Sequence, residues 1–238
     1  MTVIVLADES EVTAKLASEI SICAKRALDE SGVFRVGLSG GSVLNFLCNA
    51  IPRIDTDLSK WKFFFCDERY VVETDPESTY GVYKSKMVPR TNLKLEQFEP
   101  IDINLPLNDC ASDYEHKILK EFGAKAGTIP IFDLLLLGMG PDGHTCSLFP
   151  NHALLDEQTK LIAPIADSPK PPPQRVTMTF PLINCANCCI FAMCGSSKAE
   201  MVKRIFVDKE DLPAGRVSPT NGELIIILDK AAGCHIRE

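Results

Sequence analysis

The residues with most chemical promise lie in one run, Gly138-Met139-Gly140-Pro141-Asp142-Gly143-His144-Thr145, directly after four consecutive leucines. Histidine titrates near neutral pH, so His144 can take a proton from a water molecule while that water attacks a carbonyl. Asp142 can orient the imidazole or hold a hydroxyl. The glycines let backbone approach a ligand, and Gly140 is expected to touch substrate. A buried structural histidine is the alternative; placement in a glycine-rich loop after a strand favours function.

A second run, Gly37-Leu38-Ser39-Gly40-Gly41-Ser42, has the residue types of an anion cradle. Small residues let backbone N–H groups turn inward, and a following helix adds partial positive charge. Ser39, Gly40, Gly41 and Ser42 are therefore candidate phosphate ligands. No Lys-Ser/Thr pair follows, so this is not a nucleotide P-loop. A third run, Cys66-Asp67-Glu68-Arg69-Tyr70, sets charges directly after three phenylalanines. Asp67 can accept from sugar hydroxyls and Arg69 can pair with an anionic group. Arg175, after a proline run, and Lys198, at the start of a helix, supply further cations for a phosphate.

Other readings compete. Gly37, Ser39 and Gly41 satisfy G-x-S-x-G, the nucleophile elbow of serine hydrolases, with Asp133 or Asp142 and His144 or His235 as partners. Gly138, Gly140 and Gly143 satisfy G-x-G-x-x-G, but Pro150 follows soon after, and the end of the strand Leu161–Ile165 carries Ala-Pro rather than an acid, so a dinucleotide site fails on context. Cys185 and Cys188 form one C-x-x-C without a second pair at zinc spacing, so no metal is expected. Cys146 beside the histidine turn is expected to pack.

These loops need strands to hold them. Apolar runs at Val3–Leu6, Phe34–Leu38, Lys62–Cys66, Phe132–Leu137, Ile190–Cys194 and Leu224–Leu228 read as strands. Between them, Val12, Leu16, Ile20, Cys23 and Ala27 recur at helical spacing, as do Tyr114, Ile118 and Phe122. Helices are also expected over Val43–Ala50 and Ser197–Val207. Strand–helix alternation implies a doubly wound, mostly parallel α/β sheet with helices on both faces, Rossmann-like, in a single domain over residues 1–238. The Ser168–Pro173 stretch, SPKPPP, reads as a stiff loop bordering the site.

A net charge of −7 argues against a non-specific nucleic-acid binder. No apolar run reaches a membrane span, and no secretory leader is evident, so a cytoplasmic location is expected. Most of the ten cysteines fall in apolar periodic segments, where a thiol packs as a small hydrophobe.

Taken together, LSGGS (Leu38–Ser42), CDERYV (Cys66–Val71), ESTYG (Glu77–Gly81), FDLLLLGMGPDGHTCSLFP (Phe132–Pro150) and SPKPPPQRVTMTFP (Ser168–Pro181) closely resemble the 6-phosphogluconolactonase family. Its relatives include glucosamine-6-phosphate isomerases, which carry a Tyr where Arg69 stands and other residues after the Asp-Gly-His. Arg69 and the Ser147–Pro150 tail fit the lactonase branch. The resemblance implies an α/β/α fold and hydrolysis of 6-phospho-D-glucono-1,5-lactone in the pentose phosphate pathway. It implies no cofactor or metal and no obligate protein partner. By motif, His144 is the expected base with Asp142 beside it. Asp67 and Arg69 would contact substrate; Ser39–Ser42, Arg175 and Lys198 would hold phosphate. A glucosamine-6-phosphate isomerase/deaminase-like enzyme and a non-catalytic sugar-phosphate sensor are the remaining alternatives.

Overall fold

The structure, a computed structural model, describes residues 1–125 and 127–236. Strands β1 (Thr2–Leu6), β2 (Phe34–Leu38), β3 (Trp61–Phe65), β5 (Leu134–Leu137), β8 (Cys188–Met193) and β9 (Glu223–Asp229) form one sheet in the order β1-β9-β8-β5-β2-β3. Every pairing in it is parallel. The apolar runs therefore behave as strands covered on both faces.

Alternate side chains feed two cores. Phe63, Phe65, Leu134 and Leu136 face one side, with the apolar stripe of helix α1 (Glu9–Ser31), helix α2 (Ser42–Ala50) and helix α3 (Thr79–Met87). Phe64, Leu135, Leu137 and Phe191 face the other, with helix α4 (Leu107–Glu121) and short helices α5 (Phe180–Ile183) and α6 (Ala199–Val202). Helix α1 is delimited as its sequence suggests. The Asp8 side chain accepts from Glu11 N–H, and Gly32 takes the left-handed conformation (φ 72°) that ends it.

A second, three-stranded sheet stands beside the expected one. Strands β4 (Asp67–Arg69), β7 (Arg175–Met178) and β6 (Ile162–Ile165) pair antiparallel in the order β4-β7-β6. The runs around Asp67 and Arg175, read as loops, are thus strands opposite one another, with Arg69 across from Arg175. The helix expected over Ser197–Val207 is broken: a 3-10 turn at Ser196–Lys198 precedes α6, and a wider π-type turn at Lys203–Val207 follows.

Chain order places a site. From β2 the chain moves to its neighbour β3, then returns to lay β5 on the other side of β2. The β2/β5 boundary is a topological switch point, where loops leave the strand ends in opposite directions and open a crevice. The loops leaving those two strands carry Ser39–Ser42 and Asp142–His144.

Candidate active site

On the β5 side the turn is built around one imidazole. Gly140 N–H donates to the His144 carbonyl at 2.9 Å, and Gly143, at φ 81°, donates to Gly140 O at 3.0 Å. The ring folds back over Gly140. A Cβ there would lie 2.0 Å from His144 Cε1, so only glycine fits. Gly140 therefore makes room for the ring, and its amide is occupied by His144 rather than offered to substrate.

His144 Nδ1 lies 2.5 Å from Asp142 Oδ1. A carboxylate at that nitrogen holds the Nδ1–H tautomer and leaves the Nε2 lone pair to accept a proton. The ring also packs on Phe149, centroids 4.7 Å apart. Burial pushes the imidazole below its ordinary pKa, Asp142 pulls it up, and the Lys170 ammonium pushes it down again, with a net lowering. Burial alone would raise the Asp142 carboxyl. Hydrogen bonds from His144 and Lys170 outweigh that and bring it to about 2.

On the β2 side, Ser39 N–H joins Leu136 O of β5 at 3.0 Å, which ties the cradle to the sheet. Gly41 takes φ 75° and opens α2 without any side-chain cap. Among the described residues, Gly40 and Gly41 N–H have no backbone acceptor. Ser39 Oγ, Thr79 Oγ1 and Arg69 Nε are buried without a hydrogen-bond partner. Orphaned donors grouped like this suit an anionic ligand.

Strand alternation sorts the charges of β4. Asp67 and Arg69 share a face and line the cleft, while Glu68 points oppositely. The Glu68 carboxylate accepts from Thr79 and Tyr80 N–H, each at 2.7 Å, at the start of α3. Burial raises its pKa to about 7 against the pull of those donors. Arg69 Nη1 donates to the Glu77 carbonyl and carboxylate at 3.0 Å each, and Asp67 accepts from Ser147 Oγ at 2.8 Å.

One cleft of about 170 Å³ is lined by Ser39, Gly40, Gly41, Ser42, Asp67, Arg69, Gly138, Met139, Gly140, His144, Cys146 and Lys198. It unites nearly every expected site residue. Lys198 Nζ donates to Met139 O at 2.7 Å at its floor, and burial, then Lys170, lowers its pKa. Asp142 stands behind the imidazole. The Cys146 thiol is pushed well up, first by its hydrogen bond with Cys66 and then by burial, so it is a packing group.

Arg175 is the exception. It is 3% exposed and does not line the cleft. Its Nε donates to Pro172 O at 3.0 Å, and Nη2 to Lys170 O and Pro171 O at 3.1 and 3.0 Å. The folded proline loop takes these donors, so the expected phosphate contact is corrected to a support. Lys170, not singled out in the sequence, instead sits against Asp142.

The serine-hydrolase arrangement is not assembled. Ser39 Oγ has no hydrogen-bond partner and Ser39 is not at positive φ. Asp133 accepts from Arg35 N–H at 2.8 Å, before β5 begins and so at the opposite end of the sheet, and His235 is exposed. Among the described residues no group of three or more His, Cys, Asp or Glu could hold a metal ion, and no helix is long and apolar enough to cross a membrane. Cys188 packs its thiol against Cys23 of α1.

Fold and cleft are those of a sugar-phosphate enzyme of the parallel α/β class, and comparison with known proteins gives the family. Residues 7–226 match the model for glucosamine-6-phosphate isomerases/6-phosphogluconolactonase, and the chain belongs to this family. It is 44% identical to a probable 6-phosphogluconolactonase of Drosophila melanogaster, over 99% of this chain and 96% of that protein. It is 47% identical to 6-phosphogluconolactonase of Homo sapiens, over 84% and 79%. Among solved structures, 6-phosphogluconolactonase from Thermotoga maritima superimposes with a TM-score of 0.82 at 25% identity, covering 96% of this chain and 99% of that one. A monomeric glucosamine-6-phosphate deaminase shares the fold (TM-score 0.75, 18% identity, 100% of both chains).

Proposed function

We propose that this protein hydrolyses 6-phospho-D-glucono-1,5-lactone to 6-phosphogluconate, the lactone step of the oxidative pentose phosphate pathway. The observation that carries the reading is an imidazole, fixed through Nδ1 by Asp142, in the same cleft as an anion turn. Its relatives at 44–47% identity are lactonases by name.

In this reading the Ser39–Ser42 turn and Lys198 hold the phosphate, which makes attack on the lactone effectively unimolecular. Asp67 and Arg69 address the sugar end. His144 Nε2 takes a proton from water as the water oxygen bonds to the ring carbonyl carbon. The tetrahedral intermediate then expels the ring oxygen, which receives the proton back from the imidazolium. Gly140 N–H is already bonded to His144 O, so it is not the oxyanion donor. The guanidinium of Arg69, with Nε unpartnered, is the better candidate.

The chain acts as one domain, since its cleft draws on residues from 39 to 198. The ten free thiols suit a reducing compartment, and we place the reaction in the cytoplasm. The test is acid release from the lactone in a pH-stat, beside conversion of glucosamine 6-phosphate. Rapid lactone consumption without aminosugar turnover, surviving Ser39→Ala without an acyl-enzyme, is expected. Aminosugar conversion alone would assign the isomerase activity.

A further inference from the structure

Lys170 stands alone in the stiff loop Ser168–Pro173, and that loop is fastened from several directions. Ser168 N–H donates to Pro173 O at 3.1 Å, and Ser168 Oγ to Lys170 O at 2.8 Å. Buried Arg175 donates to the carbonyls of Lys170, Pro171 and Pro172. Its guanidinium carbon also lies 5.6 Å from the centre of the Phe149 ring, against which His144 packs. A lysine on a free loop would place its ammonium in solvent. Here Nζ reaches 2.9 Å from Asp142 Oδ1 and 3.2 Å from His144 Nδ1.

These two contacts differ in kind. Asp142 Oδ1 accepts from both Lys170 Nζ and His144 Nδ1–H. The nitrogen Nδ1 carries the proton aimed at Asp142, so it has no lone pair for the ammonium. Lys170 therefore meets His144 as charge against ring, across a shared carboxylate oxygen.

We propose that Lys170 is a positioning residue for the catalytic pair: its ammonium shares Asp142 with His144 and disfavours a lasting imidazolium, and Arg175 holds Lys170 there by gripping its loop. The charged groups around the imidazole are Asp142 on its own turn, Lys170 on the loop and Asp67 on β4. Lys198 after β8 lines the same cleft, and Arg175 on β7 shares Phe149. Asp142 and Asp67 favour the protonated ring, while Lys170 opposes it. An ammonium at this place serves both halves of the reaction. It keeps Nε2 free before attack, and it makes the imidazolium a readier donor to the departing ring oxygen.

The catalytic consequence rests on the lactonase reading; the effect on His144 does not. The experiment is therefore a proton NMR titration of His144 in the full chain, assigned with His144→Gln, for wild type, Lys170→Met, Lys170→Arg and Arg175→Lys. The pH profiles of kcat and KM for the lactone are taken in parallel. Loss of the ammonium in Lys170→Met is expected to raise the His144 pKa by about one pH unit. The rise of kcat should move to higher pH by the same interval, with KM changed less than about twofold. Lys170→Arg should restore both. Arg175→Lys, which keeps the charge but not the grip on three carbonyls, should move His144 in the same direction as Lys170→Met. An unmoved His144 titration in Lys170→Met overturns the proposal, as does a rise in KM with an unmoved profile, which would make Lys170 a substrate contact. Should no lactone be turned over at all, the functional reading falls while the titration still decides the role of Lys170.

Discussion

The two walls of the cleft are made differently. The wall after β2 is a preformed backbone turn, Ser39–Ser42, whose own residues carry no titratable side chain. The wall after β5 is charge on charge: an imidazole, a carboxylate held at about 2 and an ammonium within a few ångströms. In the proposed mechanism, binding and turnover are therefore separable. Changes on the first wall should act mainly on affinity, and changes on the second mainly on rate and its pH dependence.

The sharpest challenge to that division is Gly140→Ala. The added Cβ would overlap the imidazole, so the ring must leave its place. Turnover should fall by roughly 10²-fold or more, with 6-phosphogluconate affinity changed only slightly by calorimetry. A parallel loss of both would show that the walls are not independent.

Gly41→Ala probes the other side. A Cβ at Gly41 meets nothing within 4 Å, so only its φ of 75° is at stake. With ψ at −141° this is backbone that glycine adopts almost alone, and forcing an L-residue into it costs on the order of 1–3 kcal/mol, which should raise KM by about tenfold or more while leaving kcat largely intact. A collapse of kcat with unchanged KM would reverse the assignment of the two walls.

Glu68 provides a contrast in stability rather than in catalysis, since it supports the cleft from behind. Its folded pKa of about 7 lies above the ordinary carboxylate value of 4.5. The folded state thus holds a proton that the unfolded chain releases. The associated stability is present below about pH 4.5 and is lost as pH rises through about 7. Relative to Glu68→Gln, wild type should lose up to about 3 kcal/mol between pH 5 and 8 by denaturant unfolding. A constant difference across that interval would mean that burial does not govern this carboxyl.

Much of this arrangement is legible in the residues, and what is not has physical reasons. Phe34–Leu38 and the leucine run before Gly138 announce buried parallel strands, and the loops after them hold the cleft. Strands of three and four residues, as at Asp67–Arg69 and Arg175–Met178, are too short to show a period, so the antiparallel sheet stayed hidden. That sheet also sets Arg175 outside the cleft: across from Arg69 in the pairing, it is buried under the proline loop, where it donates to three carbonyls and, through Nη1, to Ser147 Oγ at 3.4 Å. Lys170 was invisible because a lysine among prolines reads as solvated surface. Its only sequence signal is its place ahead of three prolines, where the backbone has little freedom to withdraw it.

In the proposed mechanism a single molecule touches both walls at once. Turnover of the lactone and binding of 6-phosphogluconate, measured side by side in wild type and His144→Ala, test this directly. Affinity preserved within about threefold with turnover lowered roughly 10²–10⁴-fold is the predicted result. Undiminished turnover in His144→Ala would contradict it.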